Sequence, residues 1–165
     1  MEMNVRWIEH KDEWLKLITE AVIFLKQTEA KSLHHKNAKR ALNRLLRAWT
    51  DYPPTYVSEK ALLLFQANGI DPLSATRKDS RIFNSKGDNK KSLIVFEHTT
   101  PIDELTKLLV SIESSEIEEV LLNYSGICWI TREEDDRLNQ NNFRKHRNGD
   151  WAKAYSSLGI NTIKL

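Results

Sequence analysis

The sequence holds one cysteine, Cys128, among its 165 residues. An internal disulfide is excluded, and so is a metal site built on several thiolates. Its neighbours Ile127 and Trp129 mark it as a small core hydrophobe rather than a reactive thiol. Glycine is scarce too: the five glycines are nowhere clustered, which excludes a glycine-rich phosphate loop. A serine nucleophile on a glycine-flanked strand-to-helix elbow is missing. His34 and His35 are adjacent, so on a helix they point in different directions and make a poor chelating pair. No apolar run approaches the roughly 18 residues of a membrane helix. The opening MEMNVRWIEHKDEW is too charged for a signal peptide. The expectation is a soluble, cytoplasmic chain with no membrane partner.

Hydrophobic residues make up 40% of the chain and charged residues 29%, which suits one globular domain spanning 1–165. The formal net charge of +2 conceals a segregated distribution. Residues 30–50 carry six bases and no acid, residues 97–136 carry eleven acids against Lys107 and Arg132, and bases dominate again from Arg137 to Lys153. Two basic zones therefore flank an acidic middle, which bears on partners more than the sum does.

The first 70 residues read as helical. Trp14, Leu17, Ile18, Ala21, Val22, Phe24 and Leu25 recur at three- and four-residue spacings and predict a helix over 10–28. A second, over 31–49, puts Ala38, Ala41, Leu42, Leu45 and Trp49 on one face and Lys36, Arg40, Arg44 and Arg47 on another. Asp51 to Pro54 ends it. A third, over 57–68, closes at Gly69. Residues 71–91 are polar and without period, a long loop whose length suggests function or folding on a partner.

After the loop the pattern becomes β-α-α-β-α-α-β. Leu93 to Phe96 and Gly126 to Ile130 are short apolar runs of strand-forming residues, and Ile160 to Leu165 is a final short strand. Thr100-Pro101-Ile102-Asp103, Ser115 to Glu118, Thr131 to Glu134 and Asp150 are helix starts. Helical crossovers favour parallel pairing. The expected fold is therefore α+β: a helical N-terminal half covering one face of a small, mainly parallel three-stranded sheet.

Three functions fit these residues. The first is non-catalytic binding of nucleic acid: Lys36, Arg40, Arg44 and Arg47 form one stripe, with Lys39 at its edge, and Arg144, Lys145 and Arg147 supply a second contact to phosphates. The second is a metal-dependent phosphodiesterase or nuclease. In a parallel sheet Glu97-His98 and Thr131-Arg132 would share an edge, where Glu97, Glu133 and Glu134 could hold Mg²⁺ and His98 serve as acid or base. The third is a protein-directed inhibitor, immunity or antitoxin-like protein, docking through Glu113, Glu116, Glu118, Glu119, Glu133, Glu134, Asp135 and Asp136. The first needs no cofactor, and it stands narrowly ahead of the protein-binding reading.

Overall fold

The helical half forms where the periodicity predicts it. The computed structural model describes residues 5–49, 54–77, 79–83 and 92–165, excluding the side chains of 5–9, 81 and 82. The expected stop at Asp51 to Pro53, the side chain of Trp7 and the end of the polar stretch, 84–91, lie outside the described residues. Helix α1 spans Val5–Gln27 and α2 spans Leu33–Trp49. The second starts two residues later than expected, because the Ser32 hydroxyl accepts the His35 amide hydrogen at 3.0 Å and so acts as the cap.

A three-residue strand follows, β1 (Tyr56–Ser58), whose last two residues the sequence pattern places in the third helix. Ser58 ends this strand and at once caps α3 (Glu59–Ala67), its hydroxyl accepting the Ala61 amide at 3.1 Å. Residues 79–83 form a short 3-10 segment within the expected loop, held by the Asp79 carboxylate. That carboxylate accepts from the Thr76 amide and hydroxyl at 2.6 and 2.8 Å, which lowers its pKa.

Next come β2 (Ile94–His98), α4 (Ile102–Ser111), a 3-10 turn at Ser114–Glu116, α5 (Ile117–Tyr124) and β3 (Ile127–Thr131). Helix α6 (Arg132–Gln140), α7 (Trp151–Ser157) and β4 (Thr162–Lys164) complete the order. The capping box predicted at Thr131 to Glu134 is present, and Asp150 caps α7. Two expected starts move: no side chain caps α4, which begins after Pro101, and the box before α5 is Glu113 with Glu116.

The described residues thus contain seven α-helices and a four-stranded sheet, in place of the expected three mainly parallel strands. The strand order is β2-β3-β1-β4; only β1 and β3 run parallel, and β2/β3 and β1/β4 are antiparallel. In two of the connections the cause is a pair of helices where one was expected. A single crossover helix can carry the chain back across the sheet so that the next strand runs parallel, although the connection through α3 does not, and β2 runs opposite to β1. Two helices cancel: α4 leads away from the end of β2 and α5 returns to the same edge, so β3 starts beside His98 and runs the other way. The pair α6 and α7 does the same between β3 and β4. At the first junction the backbones approach closely, with Thr99 N–H and Oγ1 both donating to the Gly126 carbonyl at 2.9 and 3.0 Å. A Cβ on Gly126 would sit 3.0 Å from that Thr99 oxygen.

Of the three N-terminal helices expected to cover the sheet, only α3 does; α1 and α2 pack elsewhere. Ile18, Val22 and Leu25 of α1 and Leu42, Leu46 and Trp49 of α2 pack on Ile102, Leu105 and Leu109 of α4 and Ile117 and Leu121 of α5. Both sheet faces are already occupied. Val57, Ile94 and Trp129 meet Ala61 and Phe65 of α3 with Phe83 on one side. Cys128 and Ile130 meet Leu138 of α6 and Tyr155 of α7 on the other. Burial there pushes the Cys128 thiol pKa well up, in keeping with a core hydrophobe.

Glu134 ties the second helix pair to the sheet. It is 1% exposed, and its carboxylate accepts from the Ser58 hydroxyl at 2.6 Å and the Thr131 amide at 2.7 Å. Glu134→Ala leaves both donors buried without that acceptor, and we expect a loss of about 2–4 kcal/mol of stability. Equilibrium urea unfolding with an unchanged denaturant slope measures it; a loss under about 0.5 kcal/mol, as at an ordinary surface site, would contradict this role.

Candidate nucleic-acid interface

The second helix presents three different sides. Ala38, Leu42, Leu46 and Trp49 are buried against α1, α4 and α5. On the flank toward α4, Asn43 accepts from the Thr106 hydroxyl at 2.7 Å and Lys39 reaches Asp103 at 3.3 Å. Lys36, Arg40, Arg44 and Arg47 lie within an arc of about 80° on the outer side, and all four are exposed. Lys36, Arg40 and Arg44 have no ion-pair partner among the described residues. The row from Lys36 to Arg47 covers about 16 Å of helix.

The last of these cations is near enough to the end of β2 for its charge to act there. Arg47 lies in the electrostatic surroundings of His98, together with Arg77 from the segment after α3 and Arg147 from the connection between α6 and α7. Arg144 acts similarly on Glu97. The two basic segments picked out in the sequence therefore approach the same corner of the sheet, and Arg77, which sequence reading missed, joins them. It carries no motif, and only the fold brings it there.

Within the second segment the residues divide. Arg144 and Lys145 are exposed, as is His146, whose Nε2 lies 3.4 Å from Lys107 Nζ. Arg147 is buried, its side chain 1% exposed, and is not available to a phosphate. Its Nη2 donates to Glu97 Oε1 at 2.6 Å, and its Nη1 donates to the Thr99 carbonyl at 2.7 Å and to the His98 carbonyl. The guanidinium also lies over the Tyr155 ring, 5.3 Å from its centroid. Glu104 of α4 fixes the backbone, accepting the Arg147 and Gly149 amides at 2.6 Å each. Asn148 and Gly149, at φ of 53° and 72°, make the left-handed turn that lets one carboxylate reach both.

Glu97 and His98 are neighbours on β2, so their side chains leave opposite faces of the sheet. Glu97 faces Arg147, on the side of α6 and α7. Burial pushes its pKa up and Arg147 pulls it back, the former prevailing. His98 faces the other side. Burial, reinforced by Arg47, Arg77 and Arg147, depresses its pKa to about 4. The two groups cannot act from one side on one bond. In the antiparallel ladder Glu97 stands opposite Cys128, whereas Thr131 stands opposite Ile94 at the far end. Glu133 and Glu134 therefore follow a strand end that stands opposite Ile94, not opposite Glu97 as a parallel sheet would have it. No cluster of three or more metal-ligating side chains occurs among the described residues.

The acidic residues are likewise divided. Glu113, Glu116, Glu118 and Glu119 precede β3, while Glu133, Glu134, Asp135 and Asp136 follow it. Glu116 is held in its own capping box, and Glu118 pairs with Lys11 at 2.7 Å. Glu133 lies 3.4 Å from Lys60, Asp135 lies 3.1 Å from Arg132, and Glu134 is buried. They do not form one continuous face.

The class defined by this arrangement is a mixed α+β protein with a basic outer helix, and no helix among the described residues is long and apolar enough to cross a membrane. In comparisons with known proteins, the chain matches no family model, no curated sequence and no solved structure.

Proposed function

We propose that the protein binds nucleic acid without catalysis, laying α2 along the phosphate backbone through Lys36, Arg40 and Arg44, with Arg47, Arg144 and Lys145 extending the contact. A single observation carries this reading: three exposed cations in one row have no acid paired with them among the described residues, whereas most of the acids of the chain's middle are individually engaged elsewhere. Cations held apart from counter-charges keep their full field for a polyanion. Lys39, drawn to Asp103, contributes less.

Fluorescence anisotropy with labelled single- and double-stranded DNA and RNA tests it at low and physiological salt, with and without Mg²⁺. Affinity should fall steeply with salt. Because each neutralised phosphate contributes a slope of about −0.7 to −0.9, the variant Arg40→Ala with Arg44→Ala should flatten the plot of log K against log salt by about 1.4–1.8. Its affinity should drop roughly tenfold or more at low salt. No binding even at low salt would remove the reading. Metal-dependent cleavage of the probes would replace it with an enzyme.

A further inference from the structure

A groove of about 370 Å³ lies between α1 and α2, lined by Ala21 and Phe24 of α1 and by His34, Asn37, Ala38 and Ala41 of α2. That volume is at the small end of the roughly 300–1,000 Å³ typical of small-ligand pockets. Phe24 is 54% exposed, and Leu17, two turns before it on the same side of α1, is 47% exposed. Neither is needed by the helix cluster beneath. The basic row runs beside the groove on the α2 side: Asn37 and Ala41 each follow a row cation, Lys36 and Arg40, by one position, a turn of about 100° around the helix, and Arg44 lies about one turn beyond Ala41.

We propose that this groove receives an unpaired nucleobase stacked on Phe24, so that the protein prefers single-stranded over duplex nucleic acid. The inference rests on the reading of α2 as a phosphate-binding helix. Charge complementarity selects the occupant, because whatever enters the groove must bring negative charge to Lys36, Arg40 and Arg44. Shape narrows it further. Ala21, Ala38 and Ala41 bring only methyl groups to the lining, and the one aromatic, Phe24, offers a flat ring a flat partner. His34 and Asn37 carry donor and acceptor groups at the edge where a base presents its own. A basic track beside an aromatic platform is the general design of single-strand binding, in which stacking adds about 1–3 kcal/mol per base. In a duplex the base faces are already stacked and cannot enter.

The test compares three labelled probes: a single strand of about 12 nucleotides, the same strand lacking its bases, and the corresponding duplex. They are titrated with the wild-type chain and with Phe24→Ala, Phe24→Trp and the triple variant Lys36→Ala, Arg40→Ala, Arg44→Ala. We expect the wild type to favour the base-bearing strand over the abasic one roughly ten- to hundredfold. Phe24→Ala should erase that preference while leaving the salt slope and duplex affinity unchanged, and Phe24→Trp should retain it. Because Phe24 is half exposed, the alanine variant should fold as the parent does, which circular dichroism checks. Equal wild-type affinity for both strands, or a preference that survives Phe24→Ala, overturns the inference while the triple variant still reports on phosphate binding by α2. An acidic amphipathic peptide that binds instead, and is lost on Phe24→Ala while strand affinity holds, also overturns it. If no probe binds at low salt, the parent reading falls as well.

Discussion

Replacing Glu97 with alanine should destabilise the protein by about 3–5 kcal/mol, the range for removing one partner of a buried ion pair. The Tm should fall by roughly 10 °C. The reason is what remains behind. Arg147 is 1% exposed on its side chain, and Glu97 is the carboxylate that the structure places against it, at 2.6 Å. Without it the guanidinium keeps the carbonyls of His98 and Thr99 and the Tyr155 ring, none of which carries a compensating charge. Glu97→Gln retains an acceptor and should cost less. Replacing both residues together, Glu97→Leu with Arg147→Met, should cost less than the sum of the single changes, since no stranded charge is left. Urea unfolding of the four chains gives the coupling directly. A Glu97→Ala cost under about 1 kcal/mol, typical of an exposed pair, would show that the pair is not desolvated. The same variants bear on catalysis: a carboxylate held by a buried arginine is a structural group, and its loss should appear first in stability.

How much of this was legible beforehand depends on whether the signal was local. Helix periodicity, the box at Thr131 to Glu134 and the Asp150 cap are set by residues within one turn of each other, and they were read correctly. The row on α2 is local for the same reason. Strand β1 was missed because three residues offer no period, and because Ser58 belongs to a strand by its backbone and to a helix by its hydroxyl. Sheet direction was missed because it depends on the end of the sheet to which each connection returns, which no strand sequence encodes. From that error followed the expectation that Glu97 and Glu133 share an edge. Arg147 was grouped with Arg144 and Lys145 by sequence, but its partner is fifty residues away, and nothing near either residue signals the pairing.

Acid should destabilise the protein between pH 6.5 and about 4 through His98. Its ordinary pKa is 6.5, and in the fold it is depressed to about 4 by burial and by Arg47, Arg77 and Arg147. Above pH 6.5 the ring is neutral in both the folded and unfolded chain, and no penalty exists. As pH falls through this window the unfolded chain takes up a proton that the fold refuses, so stability is lost, by about 3 kcal/mol in total once pH 4 is reached. Two carboxylates act in neighbouring ranges. Glu97, with its pKa raised, takes up a proton earlier in the fold than in the unfolded chain and so opposes the loss, while Asp79, lowered from 3.8, adds to it only at more acidic pH. Comparison with His98→Asn therefore isolates the ring: urea midpoints of the two chains at pH 7, 6, 5 and 4.5 should diverge steadily, with the parent losing up to about 1.4 kcal/mol more per pH unit. Parallel curves would place His98 in water. A divergent pair would also weigh against general acid–base catalysis by His98, because an imidazole with a pKa near 4 holds no proton to give at neutral pH and is a weak base there.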